Sequence, residues 1–284
     1  MIRQFLSLTY PAIMASRILL RTMGAQVPQL RVLLYHDVAP CKLEAFAATL
    51  RWLKKSWNFL KPSEFEEVMQ GKRTLTKDSL LLTFDDGFAS NRIVAENVLR
   101  PLGINAIFFV AVDFIDQPDV ASARDFICKQ LKASISAERV PAHWANMDWE
   151  DLSCLLELGH SIGAHTSSHQ RLNCKMNSNI IRREIIGAAN RIESELKTHV
   201  RHFAYPFGDF ASISEPALRL AMERYDFIYS GLRGNNYPFK KLCTIKRESL
   251  KPEDPKFLVG AFLHGVADLR YRHINKILDD WLLP

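Results

Sequence analysis

The chain has 284 residues, 48% of them hydrophobic and 24% charged, values typical of a soluble globular protein that buries a large core without disulfide or metal staples. Its formal net charge of +6 suits an anionic substrate, a membrane surface or nucleic acid and distinguishes none of them. Beyond the N-terminal segment, basic and acidic residues are mixed and form no recognition motif, which argues against a nucleic-acid-binding protein.

Residues 1–30 are predicted to form a basic, partly apolar N-terminal arm that precedes one catalytic domain over residues 31–284. The arm carries arginines and no acid, and its apolar stretch from Phe5 to Ser16 is too short to cross a bilayer as a helix. We interpret the arm as a segment in peripheral contact with an anionic membrane, and a cleaved signal peptide is the alternative.

The five cysteines are scattered along the chain and form no CxxC pair. This spacing predicts free thiols rather than a disulfide framework or a zinc–thiolate site. Free thiols favour a cytoplasmic location, and a secreted or periplasmic location is the alternative.

Short apolar runs alternate with amphipathic stretches after the arm, a pattern typical of parallel strands covered by helices. In chain order, strands are predicted at 32–35, 80–84, 106–110, 161–164, 202–205 and 227–230, and helices at 46–57, 93–99, 149–158, 180–196 and 216–224. Residues 113–148 are the least regular part and are predicted to form loops or short helices. The fold class is therefore α/β, one barrel-like or doubly wound domain whose functional residues gather where strands end.

Two adjacent carboxylates follow the second predicted strand, in the segment Thr83-Phe84-Asp85-Asp86-Gly87. Adjacent acids repel each other, and the mouth of a buried strand is an expensive place for both unless a cation lies near. An ordinary Asp-Gly turn is the alternative interpretation of this segment on its own.

Two histidines, His165 and His169, follow the fourth predicted strand, and their spacing allows both to face one point. Imidazole binds zinc, cobalt, nickel and iron, whereas two surface histidines in a Ser/Thr-rich loop are the alternative. With one carboxylate of the Asp-Asp pair, the histidines make a triad that leaves metal positions open to water and substrate. The second carboxylate then has a role as the base.

Two further strand ends carry weaker signals. Residues 202–208 end in a Pro/Gly turn whose backbone N–H groups and aromatic rings could line a groove. Residues 33–37 place His36 directly after the first strand. Taken alone, the first segment is an ordinary strand end and the second a structural histidine.

The sequence resembles the polysaccharide deacetylase family, the NodB-homology group also called carbohydrate esterase family four. Residues 83–87 match its first motif, residues 165–169 match its second, and residues 203–208 resemble the third motif of one branch. The resemblance extends over roughly residues 31–270. It implies a single-domain distorted (β/α) barrel that removes an N-acetyl group from an amino sugar in a polysaccharide or a glycolipid precursor, with a role in building the cell envelope.

The sequence departs from the family pattern in two places. The usual Arg-x-Pro-Tyr motif is absent, and Tyr205-Pro206-Phe207-Gly208 stands instead. The Leu-x-His motif is matched near the N-terminus by His36 and only nearly matched at His264, which resembles the branch that includes poly-N-acetylglucosamine deacetylases. We therefore favour His36 over His264 as the acid. Arg247 is the candidate to hold the base, with Arg201 as the alternative.

The resemblance also implies one divalent metal ion, zinc first, with cobalt, nickel and iron as alternatives. Its expected ligands are Asp86, His165 and His169. Asp85 is the expected base, which the arginine would keep ionised, and His36 is the expected proton donor to the leaving amine. The residues expected to face the substrate and its oxyanion, chiefly through a backbone N–H near Tyr205, are Tyr205, Pro206 and Gly208.

Two other functions remain open at this point. The same scaffold could remove a formyl group or hydrolyse another non-peptide amide. An inactive carbohydrate-binding module is the second alternative, although it predicts a missing ligand or base and every such position is filled here.

Overall fold

A computed structural model describes residues 27–131, 135–238 and 244–282. Within these residues eight strands pair in parallel and form one sheet, in the spatial order β7-β6-β5-β4-β3-β1-β8, with β2 beside the start of β3. The strands are β1 (Leu30–Tyr35), β2 (Asn58–Phe59), β3 (Ser79–Phe84), β4 (Ala106–Val110), β5 (Ser161–Ala164), β6 (His202–Ala204), β7 (Phe227–Tyr229) and β8 (Glu248–Ser249).

The sheet curls until residues 245–249 join its two edges. Tyr229 in β7 makes a parallel bridge with Ile245, and β8 pairs with β1 through Leu33 and Glu248. The predicted distorted (β/α) barrel is confirmed, and the doubly wound alternative is wrong. The strands follow one another around the curl and lack the reversal of order that defines a doubly wound sheet.

Helices cover the outside of the curled sheet, and three of them (α3, α6 and α8) run on through a π-helical turn. The α-helices of the described residues are α1 (Leu43–Leu53), α2 (Pro62–Met69), α3 (Ser90–Val94), α4 (Arg100–Leu102), α5 (Val112–Ile115), α6 (Val120–Phe126), α7 (Trp149–Glu157), α8 (Ser178–Arg182), α9 (Ala188–Leu196), α10 (Glu215–Arg224), α11 (Lys256–Leu263) and α12 (Asp268–Trp281). The described part of the region predicted to be irregular, 113–148, contains short helices and loops.

The central strands β1, β3 and β4 are buried along their whole length, because helices cover one face and the barrel interior fills the other. One charged residue lies within β1. Arg31 donates to Glu248 at 3.0 Å and to both carboxylate oxygens of Asp268 at 2.9 Å, so α12 is tied to the sheet. Pairing satisfies the buried charge, since an unpaired one would be strongly destabilising.

Residues 1–26, most of the predicted N-terminal arm, lie outside the described residues, so the arm and its membrane contact stay predictions. No helix in residues 27–131, 135–238 or 244–282 combines the length and apolar character that crossing a membrane requires. The cysteines of that part are free thiols, as their spacing predicts: Cys41, Cys128, Cys154 and Cys174.

Candidate metal centre and catalytic site

The chemistry-bearing residues of the sequence motifs come together at the carboxyl edge of the barrel. His36 follows β1, Asp85 and Asp86 follow β3, and His165 follows β5. Because the strands are parallel, their carboxyl ends open on the same side of the sheet. Segments that are distant in sequence therefore meet at one mouth.

Asp86, His165 and His169 form a buried cluster whose potential ligand atoms all lie within 4.8 Å of one another. Oδ1 of Asp86 is 3.3 Å from Nε2 of His169 and 3.6 Å from Nε2 of His165. The same Oδ1 is buried and has no hydrogen-bond partner among the described residues. A buried carboxylate oxygen facing two imidazole nitrogens is a donor set that fits a divalent cation.

Backbone carbonyls orient both imidazole rings. Nδ1 of His165 lies 2.8 Å from the carbonyl oxygen of Ala204, and Nδ1 of His169 lies 3.1 Å from that of Gln130. A carbonyl oxygen only accepts, so each Nδ1 carries the hydrogen. Each Nε2 then keeps its lone pair toward Asp86, which is how metal-binding histidines are commonly fixed.

Burial and neighbouring charges set the protonation states of this cluster. Burial raises the pKa of Asp86, but the nearby His36, His169 and His165 together lower it by more than burial raises it. The pKa of this carboxyl is therefore well below its ordinary value. Burial lowers the pKa of His165 to about 4. An ionised carboxylate beside a neutral imidazole is the state in which these side chains bind a metal.

The loops that carry the cluster adopt left-handed backbone conformations at non-glycine residues, with φ of 79° at Asp86, 67° at Thr166 and 58° at His169. Such conformations persist only where surrounding contacts hold them, and they concentrate at functional sites. Here the N–H of His169 donates to Thr166 Oγ1 at 3.0 Å. The fully buried Glu184 accepts from both the N–H and the hydroxyl of Ser168 at 2.8 Å.

The second carboxylate, Asp85, is held quite differently from Asp86. Arg247 donates from Nη1 and Nη2 to the two oxygens of Asp85 at 2.7 and 2.9 Å, and its Nε donates to the carbonyl of Ser230 at 2.9 Å. Arg201, the alternative partner, lies elsewhere and pairs with Glu66 and Asp226. The structure thus places Arg247, and not Arg201, against the expected base.

His36 lies at the mouth of the barrel, close enough to Asp86 for its charge to lower the pKa of that carboxyl. His264, the alternative acid, lies in another part of the molecule. Its ring packs against Trp57, 5.7 Å between centroids, and Trp57 precedes β2 at the edge where the strands begin. The geometry therefore favours His36 over His264.

Two backbone N–H groups of the turn after β6 are paired within the protein. The N–H of Tyr205 donates to the carbonyl of Tyr229 at 3.1 Å and continues the strand pairing, Pro206 has no N–H, and the N–H of Gly208 donates to Pro206 at 2.7 Å. Tyr205, Pro206 and Gly208 thus offer no free backbone N–H, and the expected oxyanion donor near Tyr205 stays a prediction. The N–H of Phe207 has no partner among the described residues.

Phe207 is the residue of this turn that approaches the cluster. Its ring lies 4.8 Å from that of His169, and it is 46% exposed, so it forms part of the rim of the site. Gly208 has a packing role, because a Cβ at this position would lie 2.4 Å from the backbone nitrogen of Gly231. Sequence reasoning missed Phe207 because the motif centres on the polar and turn-forming residues beside it.

The chain is similar to one known protein family and to several solved structures. Residues 72–224 match the polysaccharide deacetylase family. The chain is similar in structure to the deacetylase PplD of Streptococcus pyogenes in complex with acetate (TM-score 0.64, 17% identity, covering 84% of this chain and 99% of that one). It is also similar to IcaB from Ammonifex degensii (TM-score 0.63, 20% identity, covering 84% of this chain and 99% of that one). A third similar structure is a de-N-acetylase from Aggregatibacter actinomycetemcomitans (TM-score 0.62, 16% identity, covering 82% of this chain and 99% of that one).

No curated protein matches the chain significantly in sequence. At these identities the structural likenesses show the fold alone, and the family match carries the identification. The chain belongs to the polysaccharide deacetylase family, hydrolases that act on the N-acetyl amide bonds of sugars.

Proposed function

We propose that this protein removes the acetyl group from the nitrogen of an amino sugar in a glycan, with one metal ion held by Asp86, His165 and His169. One observation carries the proposal: the two adjacent carboxylates have different partners. Asp86 faces two imidazole nitrogens, whereas both oxygens of Asp85 are held by Arg247. A metal ligand and a base are two roles that amide hydrolysis at a metal site requires.

Zinc is the ion we propose, because a donor set of two imidazoles and one carboxylate is typical of zinc, although cobalt, nickel and iron also bind imidazole. When bound, such an ion supplies Lewis-acid polarisation of the amide carbonyl and makes water more acidic. Two observations support this assignment: Oδ1 of Asp86 is buried without a hydrogen-bond partner among the described residues, and both histidines keep the Nε2 lone pair toward it.

Other groups of the site would supply the proton transfers and the oxyanion donor. Asp85, oriented by Arg247, accepts a proton from the attacking water. The N–H of Phe207, near Tyr205, has no acceptor in the described part of the chain and is our candidate donor to the developing oxyanion. His36, at the mouth beside Asp86, donates a proton to the leaving amine.

The acetamido sugar as substrate is supported by the family match and by similar structures described as a deacetylase in complex with acetate and as a de-N-acetylase. The sugar is part of a polysaccharide or of a glycolipid precursor in this proposal. Removal of a formyl group is the competing reaction, because it would use the same carboxylate, imidazoles and water.

Acetate and formate release separate these reactions. We would supply N-acetylglucosamine oligomers, lipid-linked N-acetyl sugars and their N-formyl counterparts to three samples: protein as purified, chelated protein and zinc-restored protein. The expected result is acetate release that chelation abolishes and zinc restores. Formate release alone would replace deacetylation by deformylation. Absence of hydrolysis in zinc-loaded protein that still binds the oligomers would indicate a carbohydrate-binding module.

A further inference from the structure

A pocket of about 470 Å³ opens beside His36 at the edge of the catalytic site. Its walls come from four parts of the chain: the loop after β1, Phe88 behind the Asp-Asp motif, the segment with Pro141, His143 and Trp144, and residues 250–253 after β8. The volume is within the usual range for small-ligand pockets, which is roughly 300–1,000 Å³. None of the roles described above uses this pocket beyond His36.

Asp37, the residue after His36, organises the far wall. Its Oδ2 accepts from the indole N–H of Trp144 at 2.9 Å and lies 3.0 Å from Nε2 of His143. One carboxylate therefore fixes the orientation of two aromatic side chains that enter the pocket from a distant segment. Its other oxygen, Oδ1, is buried without a hydrogen-bond partner in the described part of the chain. A buried oxygen without a hydrogen-bond partner lowers the stability of the folded chain, and such a cost is expected where a residue serves a binding site.

Trp144 is held firmly relative to the Asp-Asp motif. Its ring packs against Phe88 at 5.6 Å between centroids. The backbone around it pairs with the loop directly after Asp86, through Ala89 N–H to Ala145 at 2.8 Å and Met147 N–H to Gly87 at 2.9 Å. Trp144 is only half-buried, so part of the indole faces the pocket. The aromatic surface is thus preorganised before any ligand arrives.

We infer that this pocket binds a second, uncharged sugar ring joined to the one that is deacetylated, with Trp144 as its stacking surface. A pyranose has an apolar C–H face and a rim of hydroxyls, which matches an indole bordered by polar groups. Two lysines, Lys42 and Lys251, are balanced by the two acids Asp37 and Glu253, so the lining does not favour a phosphate. This inference rests on the proposed function and narrows its substrate to an oligosaccharide.

The test compares Trp144→Leu, which removes the ring, with Trp144→Phe, which keeps one. Trp149→Leu is the matched control: Trp149 is also half-buried and donates its indole N–H to an aspartate, Asp116, at 2.8 Å, but it lies outside the pocket. Calorimetric affinity for an N-acetylglucosamine pentamer and for the monosaccharide is measured in an Asp85→Asn background, so binding is read without turnover. Acetate release is measured in the otherwise unchanged chain.

The expected result is that Trp144→Leu lowers the pentamer-to-monosaccharide affinity ratio about tenfold, the scale of one lost aromatic contact, whereas Trp144→Phe and Trp149→Leu change it less than threefold. An unchanged ratio in Trp144→Leu, an equal loss in Trp149→Leu, or no preference for the pentamer in any variant would overturn the inference. If affinities behave as expected but no acetate is released, the proposed reaction fails and the second sugar site stands.

Discussion

Arg247 and Asp85 are joined by two hydrogen bonds of 2.7 and 2.9 Å, although 162 residues separate them in the chain. The contact exists because residues 245–249 close the curled sheet between β7 and β1 and bring Arg247 over the end of β3. Arg247 is itself anchored by the carbonyl of Ser230 at 2.9 Å. The closure of the barrel thus orients the expected base.

Arg247→Lys tests this orientation. Lysine keeps the positive charge but cannot make the two parallel hydrogen bonds of a guanidinium. We expect kcat to fall at least about tenfold with a nearly unchanged KM, because the base loses alignment while substrate and metal contacts remain. Arg233→Lys is the control, since Arg233 pairs with Glu248 and does not contact Asp85. Equal losses in both variants would argue for a general effect on stability instead.

Loss of the expected base and loss of an expected metal ligand should have different effects on metal content. Asp85→Asn is expected to lower kcat by about a thousandfold or more and to retain stoichiometric zinc, because the base is lost while the Asp86 cluster stays intact. His165→Ala is expected to lose both turnover and zinc. Metal analysis of the purified variants, beside His273→Ala on the exposed face of α12, measures this. Turnover in Asp85→Asn would remove Asp85 from the role of base.

Strand ends were the predictable part of the site, for a physical reason. β1, β3, β4 and β5 are mostly buried strands, and polar residues that follow parallel strands of one sheet meet at one edge. The meeting of the two histidines with the Asp-Asp pair was foreseen in this way, and the choice of Asp86 as the expected ligand came from the family resemblance. The supporting contacts of this cluster were not foreseen, because two of them are carbonyls of Ala204 and Gln130, and every residue has a carbonyl.

Short and late elements escaped the pattern. β2 and β8 have two residues each, too few to show a hydrophobic period. α11 and α12 follow β8 in the chain, so no recognisable apolar strand beside them marks where they begin or end.

Glu184 should support metal binding, although it contacts none of the three residues expected to bind the metal. It is fully buried at the π-helical turn after α8 and accepts from the N–H and hydroxyl of Ser168. Ser168 lies in the loop that carries His169, between the two positive-φ residues Thr166 and His169. Glu184→Ala is expected to weaken zinc affinity about tenfold, the usual scale for residues that orient metal ligands.

Glu184→Gln should lose less affinity, since an amide oxygen still accepts from the Ser168 N–H. Competition with a fluorescent chelator measures the affinity. Glu195→Ala is the control, because Glu195 makes a surface pair with Arg191. An affinity in Glu184→Ala equal to that of the control would show that the loop holds its shape without this carboxylate.

His160 should make stability depend on pH. The residue is buried, its Nδ1 accepts from the Ala106 N–H at 3.1 Å, its ring packs edge-on against Phe108, and burial lowers its pKa to about 4. Above pH 6.5 the imidazole is neutral in the folded and unfolded chains. Between 6.5 and about 4 the unfolded chain binds a proton that the folded chain refuses, so the stability contributed by this group falls as pH falls.

His160→Asn keeps an acceptor near the Nδ1 position and removes the titrating group. We expect the unfolding free energy of the unmodified chain to drop by up to about 1.4 kcal/mol per pH unit more than that of His160→Asn between pH 6.5 and 4.5. Urea denaturation at a series of pH values measures both, with His273→Asn as an exposed control that should follow the unmodified chain. Parallel curves for His160→Asn and the unmodified chain would mean that the folded protein accommodates the protonated imidazole at this site.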